Sequence, residues 1–534
     1  MIGRVVRRVS MESKKKTTSK VDIKKILNKV GKFLKRLFIL IKKGIVFLVE
    51  KIKEVSKTRY GKVDGNYILL GGLVVIVLLL FFICNIGDGD IDYPVIYNNT
   101  DSNLQLLTKN SKDEEDAIKL GSSERADDIV YANTTKRYVL FKKKSDLYLY
   151  DARSKDETTK IVSDVVAYMF SFDDKYVVTL DKEKSLRVYN YKETIKIEKD
   201  VSSIVGISED KVLYEKENIL YVRSINPKKD DRLKVTEEFD TNVRFSEDGT
   251  NVIYIDNSKK LHIFNIKKDK DTEVAKNVTK YYCDKESCNK MYYEARDDVK
   301  SIFYYDGKDS TRIAKEVYNV NAYDVERKQL VYTLLDDGEY SLYYQKGSSD
   351  AALVENDLQG IKEVKLFDGK DIYFTTTDSE VRYAKIGGNK IRVVKSIAED
   401  VSGYLHAHKD GYVFVSDVDN GSGTLCLARG GKVKKIDEDI YTGFITIGKD
   451  GDSIYYLKDY KTSGDLYVST GGKGKLIEKD VRNYEYMHED LIYFIRDYST
   501  SKGAGDLYRY TNKSVKIAEN VTRIASSPVY YIAE

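Results

Sequence analysis

Pairs of adjacent carboxylates recur along this 534-residue sequence and are the residues best suited to chemistry. Glycoside hydrolysis needs two carboxylates at a set separation across a sugar. These pairs, however, stand between apolar runs, where turns use acidic residues for local hydrogen bonding. We therefore interpret them as turn residues and keep a cell-wall glycan hydrolase or lyase as the alternative function. The pairs are Asp173-Asp174, Asp230-Asp231, Asp297-Asp298 and Asp336-Asp337.

Histidine ligands for a metal are sparse, since the chain has four histidines. His406 and His408 would share one face of a strand, but they supply two ligands where a zinc site needs three or four. His262 alternates with apolar neighbours, as a packed or edge residue does. Residues 417–421 (DVDNG) resemble part of a calcium loop, but the glycine comes one position early. We assign no metal ligand.

The motifs of common enzyme classes are also absent from the sequence. There is no G-x-S-x-G nucleophile elbow and no glycine-rich phosphate-binding loop. We therefore predict no catalytic residue and no cofactor, and we expect the chain not to be an enzyme.

Two of the four cysteines, Cys283 and Cys288, frame a four-residue turn between tyrosine-rich runs. A short turn brings such positions together, so we predict a disulfide, with two unpaired thiols as the alternative. Cys84 falls in an apolar stretch, and Cys426 stands in a strand-like run as a small core residue. No spacing typical of a zinc site is present.

Tyrosine is abundant, with 44 residues and no tryptophan. Packing between strands, with hydroxyls reaching the surface, explains most of them. The functional alternative is an aromatic face that binds carbohydrate or peptide, because tyrosine is favoured at interfaces.

The rest of the chain is organised around the stretch Tyr67–Ile86, which has twenty residues and no charge. That length spans the hydrocarbon core of a bilayer as a helix. Residues 1–64 carry 20 Lys+Arg against 5 Asp+Glu, which leaves 70 against 80 in the remainder. Positive flanks stay in the cytoplasm, so we expect a single-pass protein of the cell membrane with residues 87–534 extracellular. A cleaved signal peptide and a lipoprotein signal at Cys84 are the competing interpretations.

The segment before this span is basic. Residues 1–20 are predicted to be a disordered tail, and residues 21–56 an amphipathic helix with a wide apolar stripe and a lysine-rich face. Such a helix beside a span is typical of binding to anionic lipid headgroups. A coiled-coil dimer or docking on another membrane protein are the alternatives. Nothing supports a nucleic-acid partner. Residues 87–93 form a short acidic linker.

From residue 94 to 534 the chain is an array of repeats. Each unit carries a repeat mark, which is an acidic or amide residue followed by an apolar one. Phe239 falls in the same register, and successive marks are 36 to 43 residues apart. The marks are Asp164-Val165, Asp200-Val201, Asn277-Val278, Glu316-Val317, Asp357-Leu358, Asp400-Val401, Asp439-Ile440, Asp480-Val481 and Asn520-Val521.

Each unit contains four short runs of alternating apolar residues, separated by Gly- and Asp-rich turns. Four antiparallel strands in about 40 residues is the size of one β-propeller blade. The fold class is therefore all-β, a β-propeller array of about ten four-stranded blades. Leftover strands at both ends are what a ring closed by its termini requires. Because known rings have about four to eight blades, two rings are favoured over one large ring.

The run Phe245–Tyr254 (FSEDGTNVIY) resembles the signature of TolB-type β-propeller repeats, with looser copies at 170–177 and 207–214. The proline usual in that family is missing, so these are degenerate repeats. The plan also looks like that of single-span bacterial membrane proteins of unknown function. The resemblance implies the fold and leaves function to the site. We predict non-catalytic binding of a protein, peptide or cell-wall glycan, with a transmembrane sensor as a further alternative.

Overall fold

The computed structural model describes residues 94–525, apart from 102, 108–113, 115–116, 123–128, 132–137, 152–157, 227, 230, 241, 285 and 489–490. The chain divides into two units, Met1–Gly89 and Asp90–Glu534, and the described residues belong to the second. The predicted tail, amphipathic helix, membrane span and linker (1–20, 21–56, 67–86 and 87–93) lie outside the described residues. Within the described part, no helix has the length and apolar character that crossing a bilayer requires.

The described secondary structure is antiparallel β-strand, with a 3₁₀ helix at Ile266–Lys268. The first three strands are β1 (Val95–Asn99), β2 (Asn103–Leu107) and β3 (Ile118–Ser122). The next 28 strands form seven sheets of four. The first four of these sheets are β4 (Ile129–Tyr131), β5 (Tyr138–Lys143), β6 (Asp146–Asp151), β7 (Thr158–Val162); β8 (Val165–Phe170), β9 (Val177–Asp181), β10 (Leu186–Tyr189), β11 (Thr194–Glu198); β12 (Val201–Ile207), β13 (Lys211–Lys216), β14 (Ile219–Ser224), β15 (Leu233–Thr236); and β16 (Val243–Phe245), β17 (Asn251–Ile255), β18 (Leu261–Asn265), β19 (Lys270–Ala275).

Three further sheets of four follow, and the last ten strands join β1–β3 in one sheet of thirteen. The sheets of four are β20 (Val278–Cys283), β21 (Met291–Arg296), β22 (Lys300–Tyr305), β23 (Ser310–Lys315); β24 (Asn319–Asp324), β25 (Gln329–Asp336), β26 (Glu339–Lys346), β27 (Ala352–Leu358); and β28 (Ile361–Phe367), β29 (Asp371–Thr376), β30 (Val381–Gly387), β31 (Lys390–Ala398). The last ten strands are β32 (Ser402–His408), β33 (Gly411–Asp419), β34 (Ser422–Arg429), β35 (Lys432–Ile447), β36 (Ile454–Lys458), β37 (Gly464–Ser469), β38 (Lys475–His488), β39 (Leu491–Ser499), β40 (Ala504–Tyr510) and β41 (Ser514–Ile524).

The sheet of thirteen is four blades joined by continuous strands. β35, β38 and β41 are long, and each pairs through its first half with the strand before it and through its second half with the strand after it. Because these three strands serve two blades each, the 41 described strands make eleven blades of four segments. We call the segments A to D in chain order and number the blades from β4–β7 as blade 1. Blade 11 combines the end of β41 with β1, β2 and β3.

The blades close into one ring. Each apolar cluster of the core joins one blade to the next, from the cluster of blades 1 and 2 to that of blades 10 and 11. A last cluster packs Ile96 of blade 11 against Val139 of blade 1. The antiparallel pair β1–β41, with Tyr97 opposite Ile524, joins the two ends of the chain.

The prediction of an all-β propeller is confirmed. The blades form one ring, whereas the sequence analysis favoured two. The ten predicted units are blades 1 to 10, and the leftover strands at the two ends combine as blade 11. The preference for two rings was wrong because every blade in the described part packs on its sequence neighbours, so no interface remains to close a smaller ring.

Burial within a blade follows the residue pattern. The B strand β9 (VVTLD) is buried at every position, because both of its faces are covered by neighbouring blades. The D strand β19 (KDTEVA) is largely exposed, which explains why the lysine-rich run comes last in each unit. The A strands of neighbouring blades lie side by side at the inner edge of the ring.

The repeat mark has a conformational reason. The first residue of all nine marks adopts the left-handed conformation, with φ between 49° at Asp164 and 60° at Asp200. Asn and Asp tolerate this region better than other residues with a side chain. The apolar residue that follows is buried in every mark, as Val165 is, whose N–H donates to Ser145 O at 2.8 Å. The mark is therefore the bend between one blade and the next.

Candidate functional site

The two faces of the ring carry different connections. In an antiparallel A-B-C-D blade, the D-to-A bend and the B–C turn lie at one end of the strands, and the A–B and C–D turns lie at the other. We call the first end the DA face and the second the AB face. The repeat marks are therefore on the DA face, and the Ser-x-x-Gly-type turns that resemble TolB repeats are on the AB face.

A groove of about 640 Å³ lies on the DA face between blades 7 and 8. Its lining comes from the A and B strands of blade 7, its B–C turn, the bend to blade 8, and the end of β33. The volume is in the range of small-molecule and short-polymer sites. The lining residues include Lys362, Glu363, Thr376, Ser379, Asp400 and Val418.

One acidic group of the groove is already engaged. The Glu363 carboxylate accepts a hydrogen bond from the Leu405 N–H of blade 8 at 3.0 Å and pairs with Lys365 Nζ at 2.7 Å. Its side chain is 16% exposed, so these two contacts satisfy a mostly buried charge. Glu363 thus joins the A strands of two blades, and it is held as a structural carboxylate.

A ladder of stacked side chains crosses blades 9 and 10 on the same face. The rings of Tyr441 and Tyr460 stack with centroids 4.4 Å apart. Arg482, from the A strand of blade 10, donates from Nη1 to Tyr460 Oη and to Thr462 O, both at 2.7 Å. Its guanidinium carbon lies 4.9 Å from the ring centroid of Tyr498. The four side chains Tyr441, Tyr460, Arg482 and Tyr498 are the aromatic ladder.

The ladder arises from longer B–C hairpins. β33 and β39 each have nine residues where β9 has five, so they extend past the bend residues. Tyr498 stands on the extended end of β39, and Tyr460 stands in the B–C turn of blade 9. All four ladder residues are half-buried, and burial raises the pKa of Tyr460. A planar guanidinium between tyrosine rings makes a rigid, amphipathic surface suited to binding.

The described members of the adjacent carboxylate pairs lie at turns of different blades. Asp173 accepts from Ser171 Oγ at 2.8 Å in an A–B turn, and Asp174 has φ 55°. Asp297 accepts from the mark residue Asn277 at 2.7 Å on the opposite face. Asp337 has φ 44° in the B–C turn of blade 6. These positions belong to different blades and fit the turn interpretation, and Asp230 lies outside the described residues.

The histidines with described side chains have structural partners. His408 is 1% exposed at its side chain, faces Asp452 O at 3.1 Å through Nε2, and accepts from the Asp410 N–H at 3.1 Å. Burial lowers the pKa of both His406 and His408. His262 stacks on Tyr254 with centroids 4.8 Å apart. Among the described residues, no three His, Cys, Asp or Glu side chains form a group able to hold a metal.

Cys283 and Cys288 lie at the A–B turn of blade 5 with their sulfur atoms in contact and their Cα atoms 5.1 Å apart. That Cα separation suits a disulfide. The loop between them also contacts blade 4, because Asp248 N–H donates to Glu286 O at 3.0 Å and Asn251 Nδ2 donates to Ser287 O at 2.8 Å. The disulfide stays a prediction, and its expected effect is given below.

Many tyrosines of the described residues are buried in the core, as the sequence pattern suggested. The fully buried side chains include Tyr214, Tyr292 and Tyr456, and burial raises the pKa of each phenol. Tyr456 of blade 9 donates to Asp437 of the D segment of blade 8 at 2.9 Å. The ladder tyrosines were not singled out in the sequence, because their local pattern does not differ from that of these core residues.

Comparisons with solved structures find β-propellers. The propeller domain of the Trilobed protease from Pyrococcus furiosus has a TM-score of 0.27 and 13% identity, over 52% of this chain and 98% of that one. The tricorn protease has a TM-score of 0.26 and 12% identity, over 81% and 58%. Hsv2 from Kluyveromyces lactis has a TM-score of 0.28 and 10% identity, over 50% and 97%. No family model and no curated protein matches the sequence. The fold assignment therefore rests on the strand order and the ring of blade contacts.

Proposed function

We propose that the chain is a membrane-anchored, non-catalytic binding module whose DA face recognises a protein, a peptide or a cell-wall glycan outside the cell. The observation that carries the proposal is the coexistence, on one face, of the aromatic ladder and the groove between blades 7 and 8. Four neighbouring blades contribute to this surface, which suits an extended ligand.

The chemistry of the ladder supports recognition. Tyrosine and arginine dominate the residues that carry binding energy at protein interfaces. Because Arg482 is held by Tyr460 Oη and Thr462 O, its guanidinium is ordered before any ligand arrives. Preorganisation of this kind reduces the entropy lost on binding. A rigid ring that presents loops from several repeats is a good scaffold for such a site.

Anchoring is part of the same proposal. The apolar stretch 67–86 would fix the chain in the membrane, and the basic helix 21–56 would contact anionic lipid headgroups on the cytoplasmic side. The turn sequences Phe245–Gly249 and their looser copies support relationship to TolB-type repeats. We keep these statements as proposals that follow from the sequence pattern.

A glycan hydrolase is the second candidate, because Glu363 and Asp400 both line the groove. Two carboxylates across a sugar are the requirement for that chemistry. Against it, both Glu363 oxygens are engaged by Leu405 N–H and Lys365 Nζ. Neither oxygen is left free to contact a sugar, so binding without hydrolysis is favoured.

The test uses the full-length chain in detergent micelles. It is mixed with insoluble purified cell wall and, separately, with detergent-extracted membrane proteins, and retention is measured. We expect one material to retain the wild type, and Arg482→Ala to lower the apparent affinity at least about tenfold. The matched control is Lys175→Ala, an exposed charge on the AB face, which should change nothing. Retention by neither material, or equal loss in both variants, would contradict the proposal, and sugar fragments released by wild type but not by Glu363→Gln would favour the hydrolase.

A further inference from the structure

The groove between blades 7 and 8 carries two charges that have no ionic partner within the described residues. Lys362 is exposed at the rim, and its Nζ contacts a neutral group, Ser379 Oγ, at 3.4 Å. Asp400 is an exposed mark residue with φ 49°, and it lines the same groove. The third charged lining residue, Glu363, is neutralised by Lys365. The groove therefore offers one available cation and one available anion.

The two available charges flank one residue. Lys362 reaches the side chain of Ser379, and the backbone oxygen of Ser379 accepts from the N–H of Val401, next to Asp400, at 2.8 Å. Ser379 is itself held in the left-handed conformation, with φ 61°. The A strand of blade 7 and the bend to blade 8 thus place an ammonium and a carboxylate on the lining of one groove.

Charge complementarity selects the ligand class. A neutral glycan would leave both Lys362 and Asp400 without an ionic partner. A ligand with a single charge would pair with one of them and leave the other unpaired. A ligand that covers an exposed charge without pairing with it removes water from that charge, which disfavours binding. A molecule that carries both an ammonium and a carboxylate pairs with both.

We propose that this groove binds a short peptide with both termini free, with its carboxylate at Lys362 and its ammonium at Asp400. The groove volume of about 640 Å³ accommodates a chain of a few residues. Thr375 and Thr376 of the B strand line the same space. This inference rests on the proposed function, since it names the ligand class of one part of the DA face.

The experiment measures retention of a tripeptide mixture with random side chains by the full-length chain in detergent micelles. The mixture is offered in four forms: both ends free, N-acetylated, C-amidated, and blocked at both ends. Ultrafiltration followed by mass spectrometry gives the bound fraction. We expect the free form to be retained at least about tenfold more than the doubly blocked form, with the singly blocked forms between them. Equal retention of all forms, or retention of none, would overturn the proposal.

Two variants test which terminus of the peptide pairs with Lys362 and which pairs with Asp400. Lys362→Met should abolish the advantage of a free carboxylate while it leaves the advantage of a free amine. Asp400→Asn should do the reverse, and it suits the left-handed bend because Asn277 and Asn520 occupy equivalent bends. The matched control is Asp200→Asn, the same change at a bend remote from the groove, which should leave retention unchanged. An equal effect of Asp200→Asn would contradict the assignment.

The outcome is separable from that of the proposed function. If tripeptides fail to bind but cell wall or a membrane protein is still retained through Arg482, the groove inference is wrong and the binding role of the DA face stands. If neither binds, both proposals are wrong.

Discussion

Thr522 Oγ1 donates a hydrogen bond to the carbonyl oxygen of Asn98 at 3.1 Å, across 424 residues of sequence. Thr522 belongs to the last described strand and Asn98 to the first, so this contact lies at the closure of the ring. The neighbouring pairs Tyr97–Ile524 and Asn98–Arg523 continue the ladder. Blade 11 thus exists only when both ends of the propeller are present.

Val521 lies where the ring closes, so the free energy of unfolding should be sensitive to its substitution. Val521 is 0% exposed and packs with Val95 and Tyr97, so Val521→Ala should lower the free energy of unfolding by about 2 kcal/mol through lost burial and a cavity. The same change at Val166, which is 59% exposed, should cost less than about 0.5 kcal/mol. Guanidinium unfolding of the full chain measures both, and equal effects would contradict closure through this strand.

Opposite substitutions at two left-handed bends should change the stability of the chain in opposite directions. Glu316 has φ 58° at a bend where the other marks have Asp or Asn. Glu316→Asn should therefore stabilise the chain by about 0.5–1 kcal/mol, since Asn visits this region at lower cost. Asn520→Glu, at φ 54°, should destabilise it by a similar amount. The melting temperatures of the two variants should move in opposite directions, and a shift of the same sign in both would count against the conformational account of the mark.

The predicted disulfide between Cys283 and Cys288 closes a very short loop. The chain-entropy model gives about 2 kcal/mol of stabilisation for such a loop. A tryptic digest without reductant should contain the two cysteines in a linked, two-hydrogen-lighter form. Reductant should lower the melting temperature of the wild type but not that of the Cys283→Ser/Cys288→Ser double variant. Labelling of both thiols by a maleimide in the denatured, unreduced chain would show that the disulfide is absent.

The stability of blade 4 should depend on pH through His262. Burial opposes protonation of this imidazole, but hydrogen bonds to Asp271 at 2.7 Å and Asp256 at 3.4 Å outweigh it and raise its pKa above 6.5. A raised pKa in the folded state contributes stability that is present below the unfolded value and lost as pH rises through the folded value. The stability difference between wild type and His262→Gln should therefore shrink as pH increases.

His408 should show the opposite slope. Burial lowers the pKa of His408, so its contribution is present above the ordinary value of 6.5 and lost as pH falls through the lowered one. The stability difference between wild type and His408→Gln should shrink on acidification. Urea midpoints at several pH values between about 5 and 9 measure both differences. Slopes of the same sign for His262 and His408 would contradict the assigned environments.

The sequence predicted the blades well because each boundary depends on a local requirement. A left-handed bend followed by a buried residue needs an Asx–apolar pair, as at Asp200-Val201, and that pair is visible without any tertiary information. Blade 11 was predicted only as leftover strands at the two ends of the repeat array. That blade depends on pairing between Tyr97 and Ile524, and nothing near either residue specifies its partner.

The candidate site was hardly predictable, for a physical reason. Tyr456 and Tyr460 are four residues apart, yet one lies in the core and the other on the DA face. The difference arises because β36 ends at Lys458, which places Tyr460 in the B–C turn, where Arg482 of the next blade contacts it. Likewise, Lys362 and Asp400 belong to separate elements that meet only when blade 7 packs on blade 8. Sequence spacing within one repeat carries no signal of such contacts.

The most direct test of the central claim, that the DA face binds the ligand, is site-specific photocrosslinking. The photoreactive residue p-benzoylphenylalanine is placed at exposed Thr462 on the DA face and, in a second variant, at exposed Lys175 on the AB face. Each full-length variant is irradiated with the retained cell wall or membrane extract. We predict one defined adduct at Thr462, reduced by Arg482→Ala, and none at Lys175. An adduct at Lys175, or none at either position, would contradict the account.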